Sequence, residues 1–402
     1  MEKPRMTEIH SQDTLHFIRT HRREDVRLLA LQAHRYPSVD MPAAITQIFG
    51  WQIAKEKIPA WAENENILYP VHLSLEQCSS EMTARYKAEI IRHLLEAGRQ
   101  SSEENNTPEP TESFTDLTGG FGIDCAFLIA RHNFPALGLD HISVCHEDSI
   151  RYLQEMESVD WIFIDPARRD GRGGKTVAIS DCEPDVSALE DLLLEKAPHV
   201  LVKLSPMLDL ALALHDLKHV QVAHIVSVNN ECKELLLVLG RETHLSSEEV
   251  PIHCINLMTS QTTQCLLFTR QQEKEYSCPY TSTLKTYLYE PNASILKAGA
   301  FRSVSSIYNV EKLHPNSHLY TSDEYIPDFP GRRFLITGSS SLNKKELKEL
   351  LGTGKKANLT VRNFPASVAE LRKRLKLAEG GDTYLFATTL ANEKKVLIIC
   401  QP

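Results

Sequence analysis

The spacing of apolar positions changes along the chain. Up to residue 99 they recur at helical intervals, as in "AAITQIFGWQIAKEKI", which follows Asp40 and Pro42 at a predicted helix start. "SLEQCSSEMTARYKAEIIRHLLEAG" opens with Ser74 and Gln77 at capping-box spacing and stops at Gly98. The polar stretch "RQSSEENNTPEPTES" reads as a linker. From Phe114 the runs shorten to "SFTDLTGG", "HISVCHED", "DWIFIDP" and "HVLVKLSP", with helical segments such as "DVSALEDLLLEKA" between them. Strands alternating with helices predict an α/β fold with a parallel, Rossmann-like sheet. "QVAHIVSVNNECKELLLVLG" predicts two strands turning at Asn229–Asn230 and closing the sheet with an antiparallel edge. Beyond a boundary near 240–255, small α+β units are expected, the last one reading helix, strand, helix, strand, strand.

Composition narrows the classes. The chain has 402 residues, 42% hydrophobic and 24% charged, as in a globular multi-domain protein. No apolar run reaches membrane-spanning length; "VLVKLSPMLDLALAL" is interrupted by Lys203 and Asp209. The opening "MEKPRMTEIHSQD" lacks the apolar core of a secretory signal, and the nine cysteines form no CxxC pair. A cytoplasmic protein with reduced thiols is expected. His314 and His318 stand at i,i+4, but Pro315 spoils a helical metal pair, so no metal site is expected. A net charge of −9 excludes a uniformly basic nucleic-acid binder and leaves room for a local patch.

Two stretches carry candidate chemistry. In "DLTGGFGID", a strand ends at Asp116 and enters a turn with Thr118, Gly119, Gly120 and Gly122 before an apolar helix. Such a turn offers backbone N–H groups to a nucleotide without side-chain obstruction. The ATPase motif fails, because "RRDGRGGKT" has Arg169 where its first glycine belongs. In "DWIFIDPARRDGRGGKT" an apolar strand delivers Asp165 and Pro166 to a strand end, where open α/β sheets place their sites. An acceptor there can orient an amino group for transfer. Arg168, Arg169, Arg172 and Lys175 follow in a Gly-rich loop suited to phosphate, and Lys203 precedes the next strand end.

At these residues the chain resembles the class I S-adenosylmethionine-dependent methyltransferases, with Thr118 in place of their usual first glycine and Asp165-Pro166 at their Asp/Asn-Pro-Pro-aromatic motif. "LSLEQCSSEMTARYKA", "EPNASILKAGAF" and "RNFPASVAELRKRLKL" carry a closer likeness to the bacterial members with a helical N-terminal region and a THUMP-like C-terminal domain. The resemblance implies S-adenosylmethionine as cofactor, RNA as substrate, Asp116, Thr118, Gly119, Gly120, Gly122 and Asp148 around the cofactor, and Asp165, Pro166 and Arg168 at the reacting centre. Arg169, Arg172, Lys175 and Lys203 would then line the substrate. The implied domains are 1–105 (helical), 106–250 (methyltransferase), 251–332 (small α+β, ferredoxin-like) and 333–402 (THUMP-like). Ala167 and Arg168 stand where amino-methylating members have a proline and an aromatic ring. "VKLSPMLD" has Ser205 where a uracil-C5 enzyme needs a cysteine nucleophile.

The interval from Asp116 to Asp148 has room for about one βαβ unit of roughly 30 residues, where the family needs two. In one reading "FPALGLD" is the second strand and Asp140 holds a ribose. In the other, preferred here, "IARHNFPALGL" ends a helix, "HISVCHED" is the third strand with Asp148 near the adenine, and the second strand is absent. Lys344, Lys345, Lys348, Lys355, Lys356, Arg362, Arg372, Lys373, Arg374 and Lys376 form a C-terminal basic cluster suited to RNA phosphates. Three functions follow: an RNA methyltransferase, an RNA-binding protein with an inactive methyltransferase domain, and a small-molecule methyltransferase. The sequence assigns no oligomeric state.

Overall fold

The computed structural model describes residues 11–70, 75, 78–100, 112–118, 123–168, 178–259, 263–341, 346 and 356–402, with backbone alone at 98–100, 123–128 and 168. The chain divides into two compact units, Met1–Asp165 and Pro166–Pro402.

The first unit begins with helices α1 (Gln12–His21), α2 (Val26–Leu31), α3 (Met41–Lys57), α4 (Pro59–Glu63) and α5 (Glu81–Gln100). Their starts are chemically marked: Ser11, Asp25 and Asp40 each accept from N–H groups of the first turn, and Pro42 sits inside α3. The Ser74–Gln77 capping box lies outside the described residues. Phe17, Leu29, Met41, Ala44 and Ile48 form one core cluster. Gly50 is required where α3 meets Tyr69 of a neighbouring cluster, because a Cβ would lie 2.2 Å from Cβ of Tyr69. Gln47 closes the same contact, donating to the Tyr69 carbonyl at 3.0 Å and accepting its N–H at 2.9 Å.

Helix α6 (Ile123–Ala136) is tied to the helical region by side-chain amides. Asn133 both accepts from the Leu68 N–H and donates to the Leu68 carbonyl, and Asn64 donates to the Ala136 carbonyl. Strand β1 (Phe114–Asp116) runs parallel to β2 (Trp161–Ile164), with Asp116 opposite Phe163. Asp160 sets this register by accepting from both the N–H and the hydroxyl of Ser113 at 2.7 Å. Helix α7 (Ser149–Glu155) is the other element of the connection.

The second unit opens with a ribbon of β3 (Ala167–Arg168) and β4 (Cys182–Glu183), then α8 (Val186–Lys196), β5 (His199–Leu204), α9 (Leu210–Asp216), β6 (Val220–Val228) and β7 (Glu231–Gly240). β7 pairs antiparallel with both β5 and β6. The turn between β6 and β7 holds Asn229 at φ 48° and Asn230 at φ 66°, left-handed values that asparagine tolerates. The hairpin is as expected, but β6 is no edge. β8 (Ile252–Leu257) pairs parallel to it and β9 (Gln264–Phe268) pairs antiparallel to β8. No local pattern announces this, because the β6–β8 pairing is non-local.

After α10 (Arg270–Glu275), a second sheet is built from β10 (Tyr287–Pro291), β11 (Glu311–Lys312), β12 (Tyr320–Ser322), β13 (Gly331–Ser340), β14 (Asn358–Arg362), β15 (Tyr384–Thr389) and β16 (Lys395–Gln401). Its order is β11-β12-β10-β13-β16-β15-β14. Helices α11 (Ala293–Ala298), α12 (Phe301–Tyr308) and α13 (Val368–Leu375) complete it. Leu288, Phe334, Phe386 and Ile398 pack one core, and Leu359, Leu371, Leu385 and Leu397 another. A polar chain joins the two sheets of this unit: Asn256 accepts from the Asn230 N–H, Gln264 bridges Asn256 and Asn292, and Gln264 donates to the Gly331 carbonyl. Among the described residues no helix is long and apolar enough to cross a membrane.

Candidate functional site

The ends of β1 and β2 bring two of the expected acids together through one hydroxyl. Asp116 folds its carboxylate over the turn, with Oδ1 accepting from the Thr118 N–H at 2.8 Å and the Thr118 hydroxyl at 3.1 Å. That same hydroxyl accepts from the Asp165 N–H at 2.7 Å. The Leu117 N–H continues the ladder to the Phe163 carbonyl at 3.0 Å. Thr118 therefore makes a link that glycine could not. Its place in the pattern is explained by a partner 47 positions away. Asp116 is exposed, Asp165 half-buried and Pro166 buried. Gly119, Gly120 and Gly122 lie outside the described residues.

The stretch between α6 and α7 bears out the helix end expected at "IARHNFPALGL" and corrects the strand expected in each reading of the short interval. "FPALGLD" is not a strand: α6 continues through Ala136 and ends at Gly138, whose φ of 77° reverses the chain. "HISVCHED" is not a strand either, since residues 142–148 are irregular and mostly exposed. Its alternation is strand-like, but among the described residues no neighbour pairs with it, and an isolated strand leaves its backbone groups unmatched. Asp148 instead caps α7, accepting from Ile150 N–H at 3.1 Å and Arg151 N–H at 2.9 Å. Asp140 is exposed in the turn after α6.

In the second unit, Ala167 pairs with Glu183 and Arg168 with Cys182 in the β3–β4 ribbon. Arg169, Arg172 and Lys175 lie outside the described residues. Lys203 is half-buried on β5 opposite Leu236. The loop after β5 is shaped by Ser205, whose hydroxyl accepts the Met207 N–H at 3.3 Å, and by Lys297 of α11, which donates to the Leu208 carbonyl at 2.7 Å. Sequence reasoning missed Lys297. The contact spans 89 positions, and no local pattern announces it.

The C-terminal basic cluster divides into two kinds of residue. Arg362 is committed to the protein, pairing at 2.8 Å with buried Glu290, which also binds Arg332. Arg372 donates to the Ala357 carbonyl. Lys356, Lys373, Arg374 and Lys376 are exposed, the last three at the end of α13. Lys344, Lys345, Lys348 and Lys355 lie outside the described residues. Among the described residues no group of acidic, histidine and cysteine side chains could hold a metal ion.

Comparison with known proteins agrees with this architecture. Residues 287–330 match a ferredoxin-like domain family and residues 331–402 a THUMP domain-like family. A solved structure described as a "putative methyltransferase" from Porphyromonas gingivalis W83 is similar over 100% of this chain and 99% of its own, at 35% identity and a TM-score of 0.83. The chain belongs to this methyltransferase family. No curated protein matches it. Within the methyltransferase, the two domain matches meet between Pro330 and Gly331, inside a single sheet. β10 and β13 pair across that junction, with Pro291 opposite Gly331. A Cβ at Gly331 would lie 2.1 Å from the Glu290 carbonyl oxygen, so the junction admits only glycine.

Proposed function

We propose that the chain is an S-adenosylmethionine-dependent methyltransferase acting on RNA. The observation that carries the reading is the Thr118 hydroxyl joining Asp116 to Asp165 at the ends of adjacent parallel strands. The residues fit the strand-end half of a methyl-donor site. Asp116 and Thr118, with the glycines Gly119, Gly120 and Gly122, would hold that half, and Asp148 would approach the adenine from the start of α7. S-adenosylmethionine, when bound, supplies an electrophilic methyl group. Asp165 and Pro166 would accept the N–H of an acceptor nitrogen and orient its lone pair, a contribution made mostly by positioning. Arg168, Arg169, Arg172, Lys175 and Lys203 would line the path of a phosphate-bearing substrate. Exposed Lys356, Lys373, Arg374 and Lys376 support docking of RNA phosphates on the THUMP-like domain. Transfer of labelled methyl from the cofactor into bulk RNA, lost in Asp165→Ala, is the expected result. Label in metabolites alone would replace RNA with a small-molecule substrate.

A second reading rests on the coil at 142–148. With no strand there to present Asp148 to an adenine, and no second strand with a ribose-binding acid among the described residues between α6 and α7, the domain would be an inactive scaffold in an RNA-binding protein. Calorimetric titration with S-adenosylhomocysteine separates the two: micromolar binding supports the enzyme, and no heat of binding supports the scaffold.

A further inference from the structure

We infer that the helical region of the first unit carries a nucleotide cleft that contacts single-stranded RNA away from the methyl-transfer strand ends. The inference rests on the reading of RNA as substrate. A cleft of about 50 Å3 opens between α1, α3 and the 62–69 segment, floored by Leu15, Ile18 and Ile67 and walled by Trp51. At roughly 10–15 Å3 per water it has space for three to five waters, enough for the edge of one planar ring and too little for a whole cofactor.

The neutral polar groups of the cleft are already matched within the protein. Trp51 Nε1 donates to the Ala62 carbonyl at 3.1 Å, the Tyr69 hydroxyl donates to the Trp61 carbonyl at 3.2 Å, and the Gln47 amide is held by Tyr69. Burial also pushes the Tyr69 hydroxyl up to about 12, against the opposing pull of Arg22, so it stays neutral.

The cations are not matched in this way. The Arg22 guanidinium lies 4.8 Å from the Trp51 ring centre and pairs with no carboxylate among the described residues. The Lys55 ammonium stands 5.9 Å from the same ring. Arg19 reaches Glu65 only at 3.8 Å, with both side chains about 60% exposed, a pairing that an incoming anion displaces cheaply. Gln52 holds the backbone that carries Arg22 by donating to the Arg22 carbonyl at 3.1 Å and the Glu24 carbonyl at 2.7 Å. An indole face, a stacked guanidinium, a second arginine and an apolar slot suit a base edge with its phosphate, and base–aromatic stacking with a cationic rim is how single strands are held without sequence preference.

The test is fluorescence anisotropy of a labelled single-stranded oligoribonucleotide with the full chain at several salt concentrations. Arg19→Gln/Arg22→Gln, with an unchanged melting temperature, is expected to bind at least about tenfold more weakly. The slope of log affinity against log salt should become shallower by about 1.4, from two lost phosphate contacts at ~0.7 each. Arg22→Lys, which keeps charge and loses the stacked plane, should fall between. A double variant that binds like the parent overturns the cleft and leaves the RNA reading standing. No affinity of the parent chain for the oligonucleotide overturns both.

Discussion

The strand pair β1–β2 and the strands β5, β7 and β6 obey the same pairing rules at different depths. β1 has three residues, with Phe114 51% exposed and Asp116 in solvent. β7 has ten, the last seven buried in succession. The long strands are covered on both faces and read as continuous Leu and Val runs, as buried strands do. The short pair is fastened instead by Asp160, Ser113 and Thr118 at its ends. Depth carries the stability in one region, and polar bonds fix the geometry of the candidate chemistry in the other. The largest test of this contrast is Leu237→Ala. Leu237 is fully buried on β7, opposite Val202 on one side and Ala223 on the other. Its truncation should cost about 2–5 kcal/mol in denaturant unfolding. A cost like that of a surface change would break the comparison.

Acid should find the same depth. His224 of β6 is stacked on His253 of β8, with ring centres 4.7 Å apart. Burial first, and then its neighbour His253, pushes the His224 imidazole down to about 3. Its folded-state value lies below the unfolded one of about 6.5. The unfolded chain therefore binds the proton more readily, and the contribution of neutral His224 is complete above pH 6.5. It is lost progressively as pH falls from there towards 3. Melting temperature followed across that range should drop for the parent chain and drop less for His224→Phe. Equal slopes would mean that the buried histidine does not set the acid limit.

What could be read from the residues follows the same division. The strands around Phe114, Trp161 and His199, the cap at Asp40 and the turn at Asn229–Asn230 rest on local alternation and turn chemistry, and they stand as expected. The β8–β9 extension and the β10–β13 pairing were illegible because each depends on partners far along the chain. The expected strand at "HISVCHED" had the right alternation and, among the described residues, no neighbour to complete it. Asp116 and Asp165 could be singled out as strand-end acids, but the bond between their loops could not. It runs through Thr118, which a pattern search treats as a substituted glycine.

Thr118 gives the smallest expected change in stability and the sharpest test of the contrast. Thr118→Val keeps the side-chain shape and removes the oxygen that accepts the Asp165 N–H and donates to Asp116. Because Asp116 is exposed and Thr118 half-buried, water can replace part of what is lost, so the cost should be about 1 kcal/mol. The geometry should suffer more than the stability. If the strand ends transfer methyl groups, the rate should fall at least about tenfold, since misplacing reacting groups by an ångström is costly. Thr118→Ser, which restores the oxygen, should recover most of it. A valine variant that unfolds as readily as Leu237→Ala would mean that the short pair is a structural element as deep as the long strands. Unchanged transfer in a folded valine variant would mean that the bridge between the two acids has no part in the reaction.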